Sequence, residues 1–158
     1  MRALVIGNSG SGKSTLAKRL ADRKKISHLD LDTLAWRKDE PTHRRSFAES
    51  AAEIDAFLGL NDAWVVEGCY ADLIEHVTDN ASHLFFLNLS VDDCIQNCRK
   101  RPWEPHKYKT KQDQDRNLGA LIDWVRNYPD RDDEFSYQRH RKIFTGFRGC
   151  KTEITSNQ

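Results

Sequence analysis

Residues 5–20 read VIGNSGSGKSTLAKRL, and the fold is decided there. Gly7-Asn8-Ser9-Gly10-Ser11-Gly12-Lys13-Ser14 fits the G-x-x-x-x-G-K-[ST] pattern. The pattern needs a strand before it and a helix after it, and both are expected. RALVI (2–6) is a short apolar run suited to a strand buried on both faces. Leu16, Ala17 and Leu20 then share one helical stripe. Glycines let the backbone curl so that successive N–H groups point at one anion with no Cβ in the way. The helix beginning near Lys13 adds free N–H groups and the positive end of its dipole. Gly7, Asn8, Ser9, Gly10, Ser11, Gly12, Lys13, Ser14 and Thr15 are therefore the expected phosphate cradle. Lys13 supplies a point charge to the β/γ oxygens, and the Ser14 hydroxyl is the expected Mg²⁺ ligand. The expected ligand is ATP with Mg²⁺ rather than GTP, since no N-K-x-D-type guanine-reading segment is visible.

The rest of the composition narrows the class. At 158 residues the chain has the length of one domain, so residues 1–158 are read as a single unit. The formal net charge of +1 gives no bulk electrostatic case for nucleic acid or an anionic membrane. No apolar run approaches the ~20 residues of a spanning helix. The chain opens directly on a strand, so the expectation is no cleavable leader and a cytoplasmic protein. Cys94 and Cys98 sit four apart on an expected helix, but no second ligand pair with zinc-like spacing follows. Reduced, buried thiols are the expected state of such cysteines.

Strand-like and helix-like patterns alternate along the chain, which predicts an α/β domain with a parallel sheet. ISHLDL (26–31), AWVVEG (63–68), HLFFLNL (83–89) and KTEIT (151–155) read as the further strands. Ser46 and Glu49 have capping-box spacing, opening a helix with Phe47, Ala51, Ile54 and Leu58 on one face. Ser90 caps a helix that Pro102 stops near Arg101. PWEPHKYKTKQ (102–112) is a loop without periodicity. Leu118, Leu121, Ile122 and Val125 mark another helix ending near Tyr128-Pro129, and a last one covers about 134–146.

In an open parallel sheet, ligands gather at the carboxyl ends of the strands. The second strand runs into HLDLDTLAW, where Asp30 and Asp32 alternate onto one face beside the phosphate loop. An acid there accepts a proton from an attacking hydroxyl or holds Mg²⁺ through water; the competing reading is that one of the two simply caps the following helix. Glu67 ends the third strand, where an acid orients metal-bound water. Gly68 lets the backbone approach a ligand, and Cys69 and Tyr70 are expected to face an acceptor pocket. Arg99, Lys100, Arg101, Lys107, Lys109 and Lys111 surround the proline-bearing loop, with Arg116 and Arg126 on the next helix. Mobile cations of this kind neutralise charge on a moving phosphoryl group, so a lid over about 100–116 is expected.

GNSGSGKST, LDLDTLAW and WVVEGCY together resemble the P-loop kinases of small molecules and nucleotides, the adenylate kinase and shikimate kinase group. Within it the chain most resembles bacterial adenylate-kinase-related proteins known as DNA topology modulation proteins. The resemblance implies a three-layer P-loop NTPase fold: a five-stranded parallel sheet of order 2-3-1-4-5, helices on both faces and a lid. It implies γ-phosphate transfer from ATP to a small-molecule acceptor, with Lys13, Asp32 and Arg101 in the catalytic role. Asp30, Asp32, Gly68, Tyr70 and Arg126 would meet the acceptor, Ser14 and (through water) Glu67 the Mg²⁺, and Arg99 or Arg101 the adenine. Two departures stand out. Adenylate kinases continue the third strand as G-F-P-R where this chain has Gly68-Cys69-Tyr70-Ala71, and shikimate kinases carry a Gly triplet where Gly68 stands alone. The rival readings are a nucleoside monophosphate kinase using Arg37, Arg44 or Arg126, and a nucleotide-binding regulator linked to DNA topology.

Overall fold

The computed structural model describes residues 1–157. Five strands, β1 (Arg2–Gly7), β2 (Ser27–Asp30), β3 (Trp64–Gly68), β4 (His83–Leu87) and β5 (Cys150–Ile154), form one sheet. Its order is β2-β3-β1-β4-β5, and every pairing is parallel. This is the expected sheet order. The helices are α1 (Lys13–Lys24), α2 (Asp32–Ala35), α3 (Phe47–Leu60), α4 (Ala71–Val77), α5 (Val91–Arg99), α6 (Lys111–Arg126) and α7 (Tyr137–Gly146). Among the described residues no helix is long and apolar enough to cross a membrane.

The sheet is covered on both faces because its central strand is apolar on both. Leu4 and Ile6 of β1 face one cluster with Ile54 of α3, Leu73 and Ile74 of α4 and Ile143 of α7. Ala3 and Val5 face the other, with Ala17 of α1, Cys94, Ile95 and Cys98 of α5, and Ile122 and Val125 of α6. Each valine, leucine or isoleucine among them contributes roughly 1.5–3 kcal/mol when fully buried. Ser46 makes the full capping box with Glu49, as its spacing predicts.

Three elements differ from the sequence reading, one of them α4 (Ala71–Val77), since that reading places no helix between the third and fourth strands. The helix expected near 118 starts at Lys111, because the Thr110 side chain accepts the Asp113 N–H and caps it. Residues 111–116 are thus helix, and the irregular lid segment is confined to about 100–110. That segment is braced rather than loose. Trp103 Nε1 donates to Tyr108 O at 3.1 Å, and Gln114 clasps it through Pro102 O and the Glu104 N–H at 3.0 and 2.8 Å.

The sheet order matters for function through its register. Asp30 lies opposite Glu67, and Glu67 opposite Val5, so the carboxyl ends of β2, β3 and β1 share one rim. The phosphate loop springs from that rim and is packed against α5. At Gly10, φ is +80° and a Cβ would sit 2.3 Å from Cys94 O and 2.8 Å from Cys98 Sγ. Gly10→Ala is expected to destabilise the fold by about 2 kcal/mol or more, combining left-handed strain with overpacking against α5 backbone. Urea unfolding followed by circular dichroism checks this; a midpoint unchanged from wild type contradicts the packing described.

Candidate functional site

Gly12 is the N-cap of α1 with φ 92°, and it has no side chain to cap the helix. The first N–H groups of α1 lack intrahelical acceptors, so the loop and the helix end together make an anion cradle. Lys13 Nζ donates to Asn8 O at 2.9 Å, folding its ammonium back over the loop. Asn8 is buried and ties the loop to α6 through Nδ2 to Val125 O at 3.2 Å. Asn97 of α5 holds Gly10 O at 2.8 Å. Ser11 Oγ is buried without a hydrogen-bond partner.

Two cavities meet at this loop. The first, about 590 Å³, runs from Gly10–Thr15 past Arg101 and Trp103 to Ile154 and Asn157 beyond β5. The second, about 470 Å³, is bounded by Ser9, Asp30, Asp32, Glu67, Gly68, Cys69 and Tyr70. Lys13, Ser14, Arg101, Glu104 and Lys107 border both. The structure therefore brings together the loop, the strand-end acids and the lid residue Arg101. Gly7 and Asn8 lie buried beneath the loop and line neither cavity.

Two expected site residues are not brought in. Arg99 is exposed and borders neither cavity, because α5 turns its Cys94–Ile95–Cys98 stripe inward and the next residue faces solvent. Arg126 follows the buried Val125 of α6 in the same way and pairs with Asp123 at 3.5 Å. The other arginines weighed for an acceptor phosphate are also engaged elsewhere. Arg37 pairs with Asp39, and Arg44 with Asp72 and Glu134.

The acids are held in different electrostatic states. Asp30 Oδ1 accepts the Asp32 N–H at 2.9 Å, while the N-cap of α2 is Leu31 and neither aspartate occupies the capping position weighed for the pair. Burial, then the charges of Glu67 and Asp32, push the Asp30 carboxyl up to about 6. Burial also works to raise Asp32, but Lys107, the Tyr70 hydroxyl and Lys13 outweigh it and hold that carboxyl below its ordinary value. Asp32 Oδ1 accepts from the Tyr70 hydroxyl, whose own oxygen accepts from Trp36 Nε1 at 2.7 Å. Asp32 Oδ2 accepts from Lys107 Nζ at 3.2 Å. Neighbouring acids pushed in opposite directions are a pattern associated with divided acid–base roles.

Glu67 is buried, with Oε1 lacking a hydrogen-bond partner. Its nearest charge partner is His28 Nε2 at 3.6 Å. The sequence reading did not single out His28, although its place two residues before Asp30 puts both on one face of β2. It also missed Trp36, which orients Tyr70, and it treated Lys107 as one cation among several. Lys107 is 75 positions from Asp32, and no local pattern reports that contact. Among the described residues no group of three or more His, Cys, Asp or Glu side chains is placed to hold a metal ion; Cys94 and Cys98 are buried free thiols.

Comparison with known proteins agrees with this architecture. YqaC of Bacillus subtilis (strain 168), an uncharacterized protein, is 27% identical over 100 residues, 63% of this chain and 56% of that one. The chain thus spans just over half the length of this curated relative. A gluconokinase from Sinorhizobium meliloti 1021 superposes with TM-score 0.55 and 16% identity, over 99% of this chain and 83% of that one. Shikimate kinase from Acinetobacter baumannii, solved in complex with shikimate, gives 0.53 and 15%, over 100% and 85%. Shikimate kinase from Bacteroides thetaiotaomicron gives 0.50 and 19%, over 80% and 78%. At these identities the likeness is one of fold, that of the P-loop small-molecule and nucleotide kinases. A family model described as AAA domain matches residues 4–119, nearly three-quarters of the sequence, and the chain belongs to that family.

Proposed function

We propose that this protein is a Mg²⁺-dependent phosphotransferase that moves the γ-phosphate of ATP to a hydroxyl on a small molecule. The observation that carries the reading is the shared border of the two cavities. Lys13, Ser14, Arg101 and Lys107 lie between a cavity built on a phosphate loop and one built on carboxylates. A triphosphate in the first presents its terminal phosphorus to the second.

Asp32 is the proposed base. It stays ionised, and Tyr70 fixes its orientation. The acceptor hydroxyl takes the place of the Lys107 ammonium at Oδ2; its oxygen bonds to phosphorus, its proton passes to Asp32, and the bond to the β-phosphate oxygen breaks with its electron pair leaving on ADP. Lys107, bordering both cavities, is then free to join Lys13 and Arg101 around the equatorial oxygens. Mg²⁺ fits the residues present, since Ser14 stands at the junction and the unpartnered Oε1 of Glu67 suits a metal-bound water. When bound it withdraws charge from the phosphate oxygens. The monophosphate-kinase reading has less support, because Arg37, Arg44 and Arg126 are all engaged outside the acceptor cavity. Cytoplasmic function on ATP pools is part of the same proposal.

Labelled ATP offered with a panel of hydroxylated metabolites and nucleoside monophosphates tests the reaction. Transfer to a non-phosphorylated alcohol is expected. Lys13→Ala should abolish ATP binding, while Asp32→Asn should keep it and lower kcat by about 10²–10⁴. If no panel member is phosphorylated and none alters ATP turnover, the phosphotransferase reading fails.

The Asp30 charge makes a separate forecast. The group titrates near 3.8 when free and near 6 when folded, so between these values the folded state holds more protons. Stability therefore falls as pH rises through that window, and ionised Asp30 opposes folding above it. Asp30→Asn keeps the acceptor for the Asp32 N–H but loses the charge. It is expected to raise stability at pH 7.5 by about 1–2 kcal/mol, after discounting for solvent screening, with the gain gone below pH 4. Urea midpoints across pH 4–8 measure it; an equal gain at both ends contradicts the charge crowding.

A further inference from the structure

We propose that the acceptor is an alcohol that also carries an ammonium group, an amino alcohol or amino sugar, with its hydroxyl on Asp32 and its ammonium held by Asp30 against the aromatic wall. The inference rests on the phosphotransferase reading and names the substrate class of that site.

It follows from how charge is divided between the cavities. Lys13, Arg101 and Lys107, the cations of the acceptor cavity, all border the donor cavity as well. Asp30, Asp32 and Glu67 line the acceptor cavity alone. Once phosphate oxygens draw the cations toward the donor side, the acceptor side is left acidic. With Glu67 facing His28 at 3.6 Å and suited to the metal-bound water, Asp30 and Asp32 are the carboxylates left to the acceptor. A ligand bringing N–H⁺ and O–H donors pairs with them, whereas one bringing a carboxylate or phosphate adds to the crowding of like charge.

The wall of the cavity points the same way. Trp36, Tyr70, Trp124 and Phe135 line it. Two further arginines, beyond Arg101, are placed on these rings and tied to acids of their own. Arg44 lies 5.0 Å over Tyr70 and pairs with Asp72 and Glu134. Arg131 lies 3.6 Å over Trp124 and pairs with Asp133. Neither guanidinium borders the cavity, so neither is offered to an anionic acceptor. Aromatic faces beside carboxylates are a recognised setting for substituted ammonium ions. The cavity also accommodates an ammonium in its resting state, since Lys107 Nζ sits 3.2 Å from Asp32 and 3.7 Å from Glu104.

The test uses the whole protein with Mg²⁺ and a non-hydrolysable ATP analogue at pH 7.5, read by titration calorimetry. Two matched series serve as probes: 3-amino-1-propanol, 1-propanol and 3-hydroxypropanoate; and glucosamine, N-acetylglucosamine and gluconate. The ammonium-bearing member of at least one series is expected to bind at least tenfold tighter than its neutral and carboxylate partners. Asp30→Asn is expected to erase that tenfold difference. The proposal is overturned if the neutral or carboxylate member binds as well or better. It is equally overturned if neither amine binds while the ATP analogue does. Failure of the ATP analogue itself to bind wild type removes the underlying phosphotransferase reading instead, so the two failures are distinguishable.

Discussion

The parallel register of β2, β3 and β1 is the constraint on which the site depends. Asp30 stands opposite Glu67 and Glu67 opposite Val5, two residues before the phosphate loop begins. A slip of one residue in β2 would turn Asp30 and His28 to the other face of the sheet and place their neighbours at the rim. That register is fixed by apolar contacts on both faces of β1 and β3. The hydrophobic core thereby sets the spacing of the carboxylates, and the ladder continues past the strand end, where Leu31 N donates to Glu67 O at 2.9 Å.

Crowding three acids on one rim has an electrostatic consequence that the lid answers. Burial raises both aspartates, and the two diverge because the available cations are not shared evenly. Lys107 and Lys13 act chiefly on Asp32, while Asp30 feels mainly its acidic neighbours. In turn, burial works against the Lys107 ammonium, and Asp32 and Glu104 more than offset it. Lid and carboxylate thus stabilise each other's charged forms across 75 positions of sequence. The braces within the lid, from Gln114 and Trp103, limit the freedom lost when that contact forms.

What was legible in the sequence follows from how local each signal is. The phosphate loop, its flanking strand and helix, and the capping box at Ser46 are written in consecutive residues, and the structure places them as read. Asp30, Asp32, Glu67 and Tyr70 were legible as strand-end polar residues, because a parallel sheet collects such positions at one rim. Arg99 and Arg126 were misplaced because positive charge in the sequence does not say which way a helix is turned. The buried stripes of α5 and α6 decide that, and each arginine falls one position past its stripe. Lys107, His28 and Trp36 were not legible in their roles, since each acts through a partner on another element.

The same asymmetry explains why the phosphate-loop side of this site reads more easily than the carboxylate-lined side. Phosphate is recognised by backbone N–H groups, and the glycines that expose them leave a mark in the sequence at Gly10 and Gly12. The carboxylate-lined cavity is assembled from the phosphate loop and the start of α1, from β2, α2, β3 and α6, from the lid, and from the connections that hold Trp36, Tyr70 and Phe135. Its character emerges only as a sum: carboxylates on the sheet rim, aromatic rings opposite, and guanidiniums held behind the rings by outer acids. A single change such as releasing Arg131 from Asp133 would alter that sum without touching a motif. Specificity in such a site therefore resides in which charges are kept out of the cavity as much as in which are admitted.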